Sequence, residues 1–170
     1  MAIERNILKE LEKWKSSKNR KPLIFKGARQ VGKTWILKEF GCSTFEKHGG
    51  VVHYIDLKEQ KELHSIFKET NSPKKILKVI QLHTGKKINT TKDLLILDEI
   101  QDCEGAIGSL KYFEQSEKEL AVVAAGSHMG LIANEESFPV GKVNFLYMFP
   151  MTFAEFLFAF NPELHHEFIE

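Results

Sequence analysis

Apolar residues Ile3, Ile7, Leu8, Leu11 and Trp14 recur at helical spacing, which predicts an amphipathic helix over 3–16. After the polar break "SSKNRK", the short apolar run "PLIFK" (22–26) reads as a strand, followed by a glycine-bounded loop, 27–32. Lys33 to Phe40 then reads as a helix stopped by Gly41. "VVHYIDL" (51–57) is a second strand, and 58–69 and 74–84 are two helices separated by "NSP". "DLLILDEI" (93–100) and "LAVVAAGS" (120–127) are near-continuous apolar runs, as expected of strands covered on both faces. A helix near 105–117 lies between them. "VNFLYMF" (143–149) and "TFAEFLFAF" (152–160) close the pattern as a fifth strand and a last helix.

Strands alternating with helices predict an α/β domain on a central, mostly parallel five-stranded sheet. Right-handed crossovers put helices on both faces, a three-layer sandwich, and collect the ligand-binding loops at the carboxyl ends of the strands. Ser127 is expected to end a strand lying between those that precede the loop 27–32 and Asp98.

Composition narrows the class. The chain has 170 residues, 42% hydrophobic and 28% charged, which fits one globular domain. Its net charge of +1, from 24 basic and 23 acidic residues, offers no global argument for nucleic acid, although a local patch stays open. Cys42 and Cys103 form neither a metal cluster nor a disulfide framework, so reduced thiols in a cytoplasmic protein are expected. No signal peptide is visible, and no apolar run approaches the roughly 20 residues of a membrane span.

The chemistry concentrates in three places. Gly27-Ala28-Arg29-Gln30-Val31-Gly32-Lys33-Thr34 fits G-x-x-x-x-G-K-[ST] without a mismatch. The glycines let the backbone curl so that successive N–H groups form an anion nest, and the helix starting near Lys33 adds its positive end. Lys33 supplies a charge for the β- and γ-phosphates, and the Thr34 hydroxyl can ligate Mg²⁺. "LLILDEI" delivers Asp98 and Glu99 at a strand's carboxyl end about 65 residues later. Asp98 is expected to hold Mg²⁺ opposite Thr34, and Glu99 to orient or deprotonate an attacking water. Ser127 could sense the γ-phosphate or the lytic water; a turn or cap serine is the alternative.

Together, "RKPLIFKGARQVGKTWILKEF", "LLILDEIQ", "AAGSHMGL" and "SFPVGKVNFLYMFPMTFAEFL" resemble the AAA-type ATPase domain of prokaryotic proteins that carry a C-terminal domain of unknown function numbered 4143. The resemblance covers residues 3 to 160 in the family's motif order. It implies an AAA+-like P-loop fold over 1–160, ATP as nucleotide, Mg²⁺ as cofactor, and 161–170 as the start of a linker to a C-terminal domain. It assigns phosphate binding to Gly27–Thr34, the Walker B pair to Asp98-Glu99 and the sensor to Ser127. Partners implied are nucleotide, that C-terminal domain and further copies of the chain.

No arginine follows Arg29, so a second sensor or an arginine finger has to come from elsewhere or be replaced by lysine. Lys142 in "FPVGKV" stands roughly where AAA+ rings present a finger; a solvated lysine in a glycine turn is the alternative, and lysine lacks the planar fork. Asp56 could approach Glu99 or cap the next helix. His165-His166 with Glu163 and Glu167 could hold a metal, although a solvated terminus is the plainer reading. Arg29 could reach phosphate or brace the loop, and His128 lies beside the sensor serine. Phe145 and Phe149 can enter the core, and Phe153, Phe156 and Phe160 form one helix face that can pack on the sheet. Phe158 points elsewhere and with Leu157 widens the apolar surface, an excess to be covered by a further domain or, alternatively, by Leu11 and Trp14 of the first helix. Three functions remain: a Mg²⁺-dependent ATPase coupled to a second domain, a non-hydrolysing nucleotide switch, and a P-loop kinase. Glu99 beside Asp98 favours the first, and the absence of an Asn-Lys-x-Asp motif disfavours GTP.

Overall fold

A computed structural model describes residues 5–127, 139 and 141–161. The strands are β1 (Leu23–Gly27), β2 (Val52–Asp56), β3 (Leu94–Asp98), β4 (Ala121–Gly126) and β5 (Asn144–Met148). They form one sheet in the order β2-β3-β4-β1-β5, and every pairing is parallel. The helices are α1 (Asn6–Ser16), α2 (Lys33–Thr44), α3 (His64–Glu69), α4 (Pro73–Thr84), α5 (Ala106–Ser116) and α6 (Phe153–Phe160). The predicted helix over 58–69 is shorter: a 3-10 turn at Lys61–Leu63 leads into α3.

Alternation along the strands sorts the core into two layers. Leu23 and Phe25 of β1, Leu94 and Ile96 of β3, and Val123 and Ala125 of β4 pack with Leu11 and Trp14 of α1 and Ile36, Leu37 and Phe40 of α2. Ile24, Leu95, Leu97, Val122 and Ala124 face the other way, onto Phe67 of α3, Ile76 and Ile80 of α4, and Leu110 and Phe113 of α5. The continuous apolar runs of β3 and β4 are therefore consumed on both sides, and every residue of these strands is buried.

Gly41 does not stop α2, which continues to Thr44. A Cβ there would stand 2.7 Å from Val52 Cγ2, so the glycine serves close packing of the helix on β2. The larger correction lies at the chain's end. Phe145 (38% exposed) and Phe149 (71%) are not in the core, and Phe153, Phe156 and Phe160 do not bury themselves on the sheet. Phe158 is exposed, as its separate direction predicted, and Ala159 is the residue α6 buries. Strand β5 is a sheet edge; its Leu146 and Met148 pack on the α1–α2 layer, whereas Phe145 and Tyr147 on the other face stay exposed. Leu11 and Trp14 are spent on the α2 layer and do not cover these aromatic residues.

Polar contacts hold α6 at its start. Thr152 and Glu155 form a reciprocal capping box, and Glu155 Oε1 also accepts from the Asn6 N–H at 3.0 Å and pairs with Arg5 Nε at 3.3 Å. Burial pushes the Glu155 carboxyl upward, but the Thr152 and Asn6 N–H groups and Arg5 outweigh it and hold it below the usual carboxylate range.

Candidate functional site

The parallel sheet brings the ends of β1, β3 and β4 to one edge, where the motif residues meet. After Gly27 the loop turns through Gln30 (φ 63) and Gly32 (φ 93) before α2 begins at Lys33. Gly32 supplies the left-handed conformation that side chains resist. Gly27 answers a different need: a Cβ on it would lie 2.5 Å from the Met148 carbonyl oxygen of β5. The loop thus leads directly into the N-terminus of α2, an end whose first N–H groups have no partner within the helix and favour an anion.

Lys33 is buried, and its Nζ donates to the carbonyls of Gly27 at 2.9 Å and Ala28 at 2.7 Å. Burial lowers its pKa, while Glu99 and Asp98 oppose that shift. The ammonium is therefore held inside the curl with its own loop carbonyls as partners. Across the gap, the Thr34 hydroxyl donates to Asp98 Oδ2 at 2.7 Å, a charge-assisted contact joining residues 64 apart in sequence.

Asp98 is 2% exposed and fully engaged. Its Oδ2 also accepts from the Tyr54 hydroxyl at 2.9 Å, and its Oδ1 from the Glu99 N–H at 2.9 Å. Burial, then the charge and hydrogen bond of Asp98, raise the Tyr54 pKa, so this phenol is a fixed donor. Tyr54 was not singled out from sequence. Its signal was weak: it lies two residues before Asp56 on β2, and only the β2–β3 pairing, Asp56 opposite Asp98, brings it within reach.

Glu99 adopts φ 47, ψ 43, a left-handed conformation rare for a non-glycine residue and costing on the order of 1–3 kcal/mol. The bend turns its side chain away from the buried β3 axis, and Gln101 Nε2 donates to its Oε2. A cleft of about 330 Å³ opens here, lined by Arg29, Lys58, Glu99, Gln101 and Asp102. Arg29 therefore faces the Glu99 cleft. Ser127 directly follows β4, between β1 and β3.

Asp56 does not reach Glu99 in this arrangement; its carboxylate accepts the N–H groups of Lys58 and Glu59. Lys142 follows Gly141 (φ 70) before β5, at the sheet edge opposite the phosphate loop, and its Nζ lies 3.1 Å from Glu114 Oε2. His128, Glu163, His165, His166 and Glu167 lie outside the described residues. Burial pushes the Cys103 thiol up to about 11, so it carries no nucleophile for this site.

The Thr34 hydroxyl and Asp98 carboxylate are hard oxygen donors 2.7 Å apart at the mouth of the loop, a set that fits Mg²⁺. Among the described residues no three His, Cys, Asp or Glu side chains form a metal cage. Magnesium in phosphate sites needs no such cage, because it takes one or two protein oxygens and fills its shell with phosphate and water.

This fold and this arrangement define an AAA-type P-loop, nucleotide-binding α/β domain of ATPase type. A family model described as an AAA domain matches residues 19–157, and the chain belongs to that family. No curated protein matches it. Among solved structures it is similar to the Drosophila ORC bound to DNA (TM-score 0.59, 11% identity, 95% of this chain and 47% of that one). It is also similar to the Aeropyrum pernix ORC1 protein in complex with DNA (0.52, 16%, 96% and 48%) and to the Candida albicans Pif1 helicase (0.52, 14%, 89% and 41%). At these identities the likeness concerns the fold, and the chain spans about half the length of each of these proteins or less. Among the described residues no helix is long and apolar enough to cross a membrane.

Proposed function

We propose that this domain binds ATP with Mg²⁺ and hydrolyses it, coupling nucleotide state to a further domain of the kind numbered 4143 and to neighbouring copies of the chain, in the cytoplasm. The observation that carries the reading is the Thr34–Asp98 contact, which ties the phosphate loop to the acidic end of β3.

Roles follow for the chain's own groups. Backbone N–H groups of Gly27 to Thr34 cradle the β- and γ-phosphates, and Lys33 exchanges its two carbonyl partners for phosphate oxygens. Thr34 and Asp98 hold Mg²⁺, which when bound neutralises charge on the phosphates. Glu99 accepts a proton from the attacking water as its oxygen bonds to the γ-phosphorus and the bond to the bridging β–γ oxygen breaks, leaving ADP and phosphate. Gln101 orients the Glu99 carboxylate, and Ser127 contacts the γ-phosphate or the water. A non-hydrolysing switch needs Asp98 but gains nothing from a strained Glu99 facing a cleft.

The exposed aromatic surface of β5 and α6 supports the coupling half of the proposal. Phe145, Tyr147, Phe149, Phe153, Phe156 and Phe160 are each at least 38% exposed, an unusual concentration of apolar side chains for a surface. In the chain as it stands, a hydrophobic dye should bind there, and Phe153→Ser with Phe160→Ser should lower that signal with little change in Tm. Unchanged dye fluorescence would separate this surface from the dye site and remove its support.

The direct test of the nucleotide reading is Lys33→Ala. Loss of a charge-assisted phosphate contact worth roughly 1.5–3 kcal/mol should weaken a fluorescent ATP analogue about 10- to 100-fold in titration. Unaltered affinity would place the nucleotide elsewhere.

A further inference from the structure

The near-neutral chain conceals a local imbalance. Between Glu69 and Asp93 stand Lys74, Lys75, Lys78, Lys86, Lys87 and Lys92, with no Asp or Glu among them. Helix α4 buries Pro73, Ile76, Leu77 and Ile80 in the α3–α5 layer. At 3.6 residues per turn, Lys74, Lys75, Lys78 and Leu82 then fall within one outward arc of roughly 100°. All four are exposed. Gly85 (φ 69) ends the helix, and the exposed Lys86 and Lys87 line the same shallow hollow as Lys78 and Leu82, so they extend the stripe. Among the described residues, no carboxylate lies within ion-pair distance of these five lysines, whereas Lys13, Lys68 and Lys142 are each paired. Like charges at i and i+4, as in Lys74 and Lys78, oppose helix formation slightly, so the pattern does not serve folding.

We infer that the α4 stripe is a docking surface for the phosphate backbone of duplex nucleic acid. Helix α4 is about 18 Å long, and a duplex displays one phosphate charge per roughly 1.7 Å of axis, so all five ammonium groups can find a phosphate within one rigid footprint. Residues 70–92 contain no Phe, Tyr or Trp, so the stripe lacks the stacking platforms on which single strands depend. Its one large exposed apolar side chain, Leu82, is too little to seat α4 in a membrane interface. The stripe lies behind the sheet from Thr34 and Asp98, whose side chains meet on the α2 side with Tyr54, so occupancy by a duplex leaves the nucleotide site open. The inference does not depend on ATP turnover.

The test is fluorescence anisotropy of the full chain with a labelled 30-base-pair duplex across a salt series. Five neutralised phosphates give a slope of log K against log salt of about −4.5. Lys75→Gln, Lys78→Gln, Lys86→Gln and Lys87→Gln together should bring the slope to about −1 and weaken binding at least about 100-fold at low salt. The matching four Lys→Arg changes should preserve both values and serve as the folding control. No duplex binding by the parent chain, or an unaltered slope in the glutamine variant, overturns the inference. So does equal or tighter binding of an oligo-dT strand of the same length, which would assign a single-strand site. Sedimentation with phosphatidylserine vesicles without any duplex binding would assign the stripe to a membrane surface and equally overturn it.

Discussion

Glu99→Gln should leave ATP bound while hydrolysis falls by roughly 10²- to 10⁴-fold, the usual range for removing a positioned general base. The substitution preserves volume and the possibility of a hydrogen bond to Gln101, so the left-handed backbone at residue 99 has no new reason to relax. Single-turnover phosphate release, measured beside fluorescent-nucleotide affinity, separates the two effects. Asp98→Asn is the contrasting variant. It loses the carboxylate that accepts from Thr34 and Tyr54, so it should raise the Mg²⁺ concentration needed for half-maximal nucleotide binding. Identical Mg²⁺ titrations for the two variants would overturn the division of roles between these neighbouring acids. Turnover undiminished in Glu99→Gln would remove the base from this position altogether.

Asp93→Ala should cost about 2–5 kcal/mol of stability, because it leaves the N–H groups of Val51 and Asn89 without their acceptor, at roughly 1–3 kcal/mol for each unsatisfied group. Asp93 directly precedes β3, is 3% exposed, and accepts from the Val51 N–H at 2.8 Å and the Asn89 N–H at 2.7 Å, with His53 Nε2 at 3.0 Å. It therefore fastens the edge strand β2, through Val51 and His53, to the strand that carries Asp98. Burial pushes its carboxyl upward, but the Asn89 N–H, His53 and the Val51 N–H outweigh that penalty and hold it below the ordinary value. A carboxyl lowered in the folded state contributes stability that is fully present above its unfolded pKa, near 3.9. That contribution is lost as pH falls through the folded value, so urea midpoints of the parent chain should drop below about pH 4. Asp93→Asn should flatten that acid limb. Parallel pH profiles for the parent and Asp93→Asn would show that another carboxylate governs it.

The sequence by itself determined most of the sheet and the composition of the candidate site. Lengths and apolar continuity revealed β3 and β4 as strands covered on both faces, because parallel central strands bury every side chain they carry. The glycine spacing around Gly27 and Gly32 was equally legible, since few other residues satisfy a close carbonyl approach and a left-handed turn in one loop. Tertiary structure alone decided which groups meet. Tyr54 became a partner of Asp98 through strand register, a relation between segments that local periodicity does not encode. Gly41, locally a helix stop, was absorbed into α2 because packing against Val52 favoured the missing side chain over the end of the helix. Alternation and helical spacing predicted burial for Phe145, Phe149, Phe153, Phe156 and Phe160, and exposure for Phe158 alone. In β5 the two faces part company: Leu146 and Met148 pack with the α1–α2 layer whereas Phe145 and Tyr147 stay exposed, a sorting set by which elements lie against each face and not by the hydrophobicity of the residue.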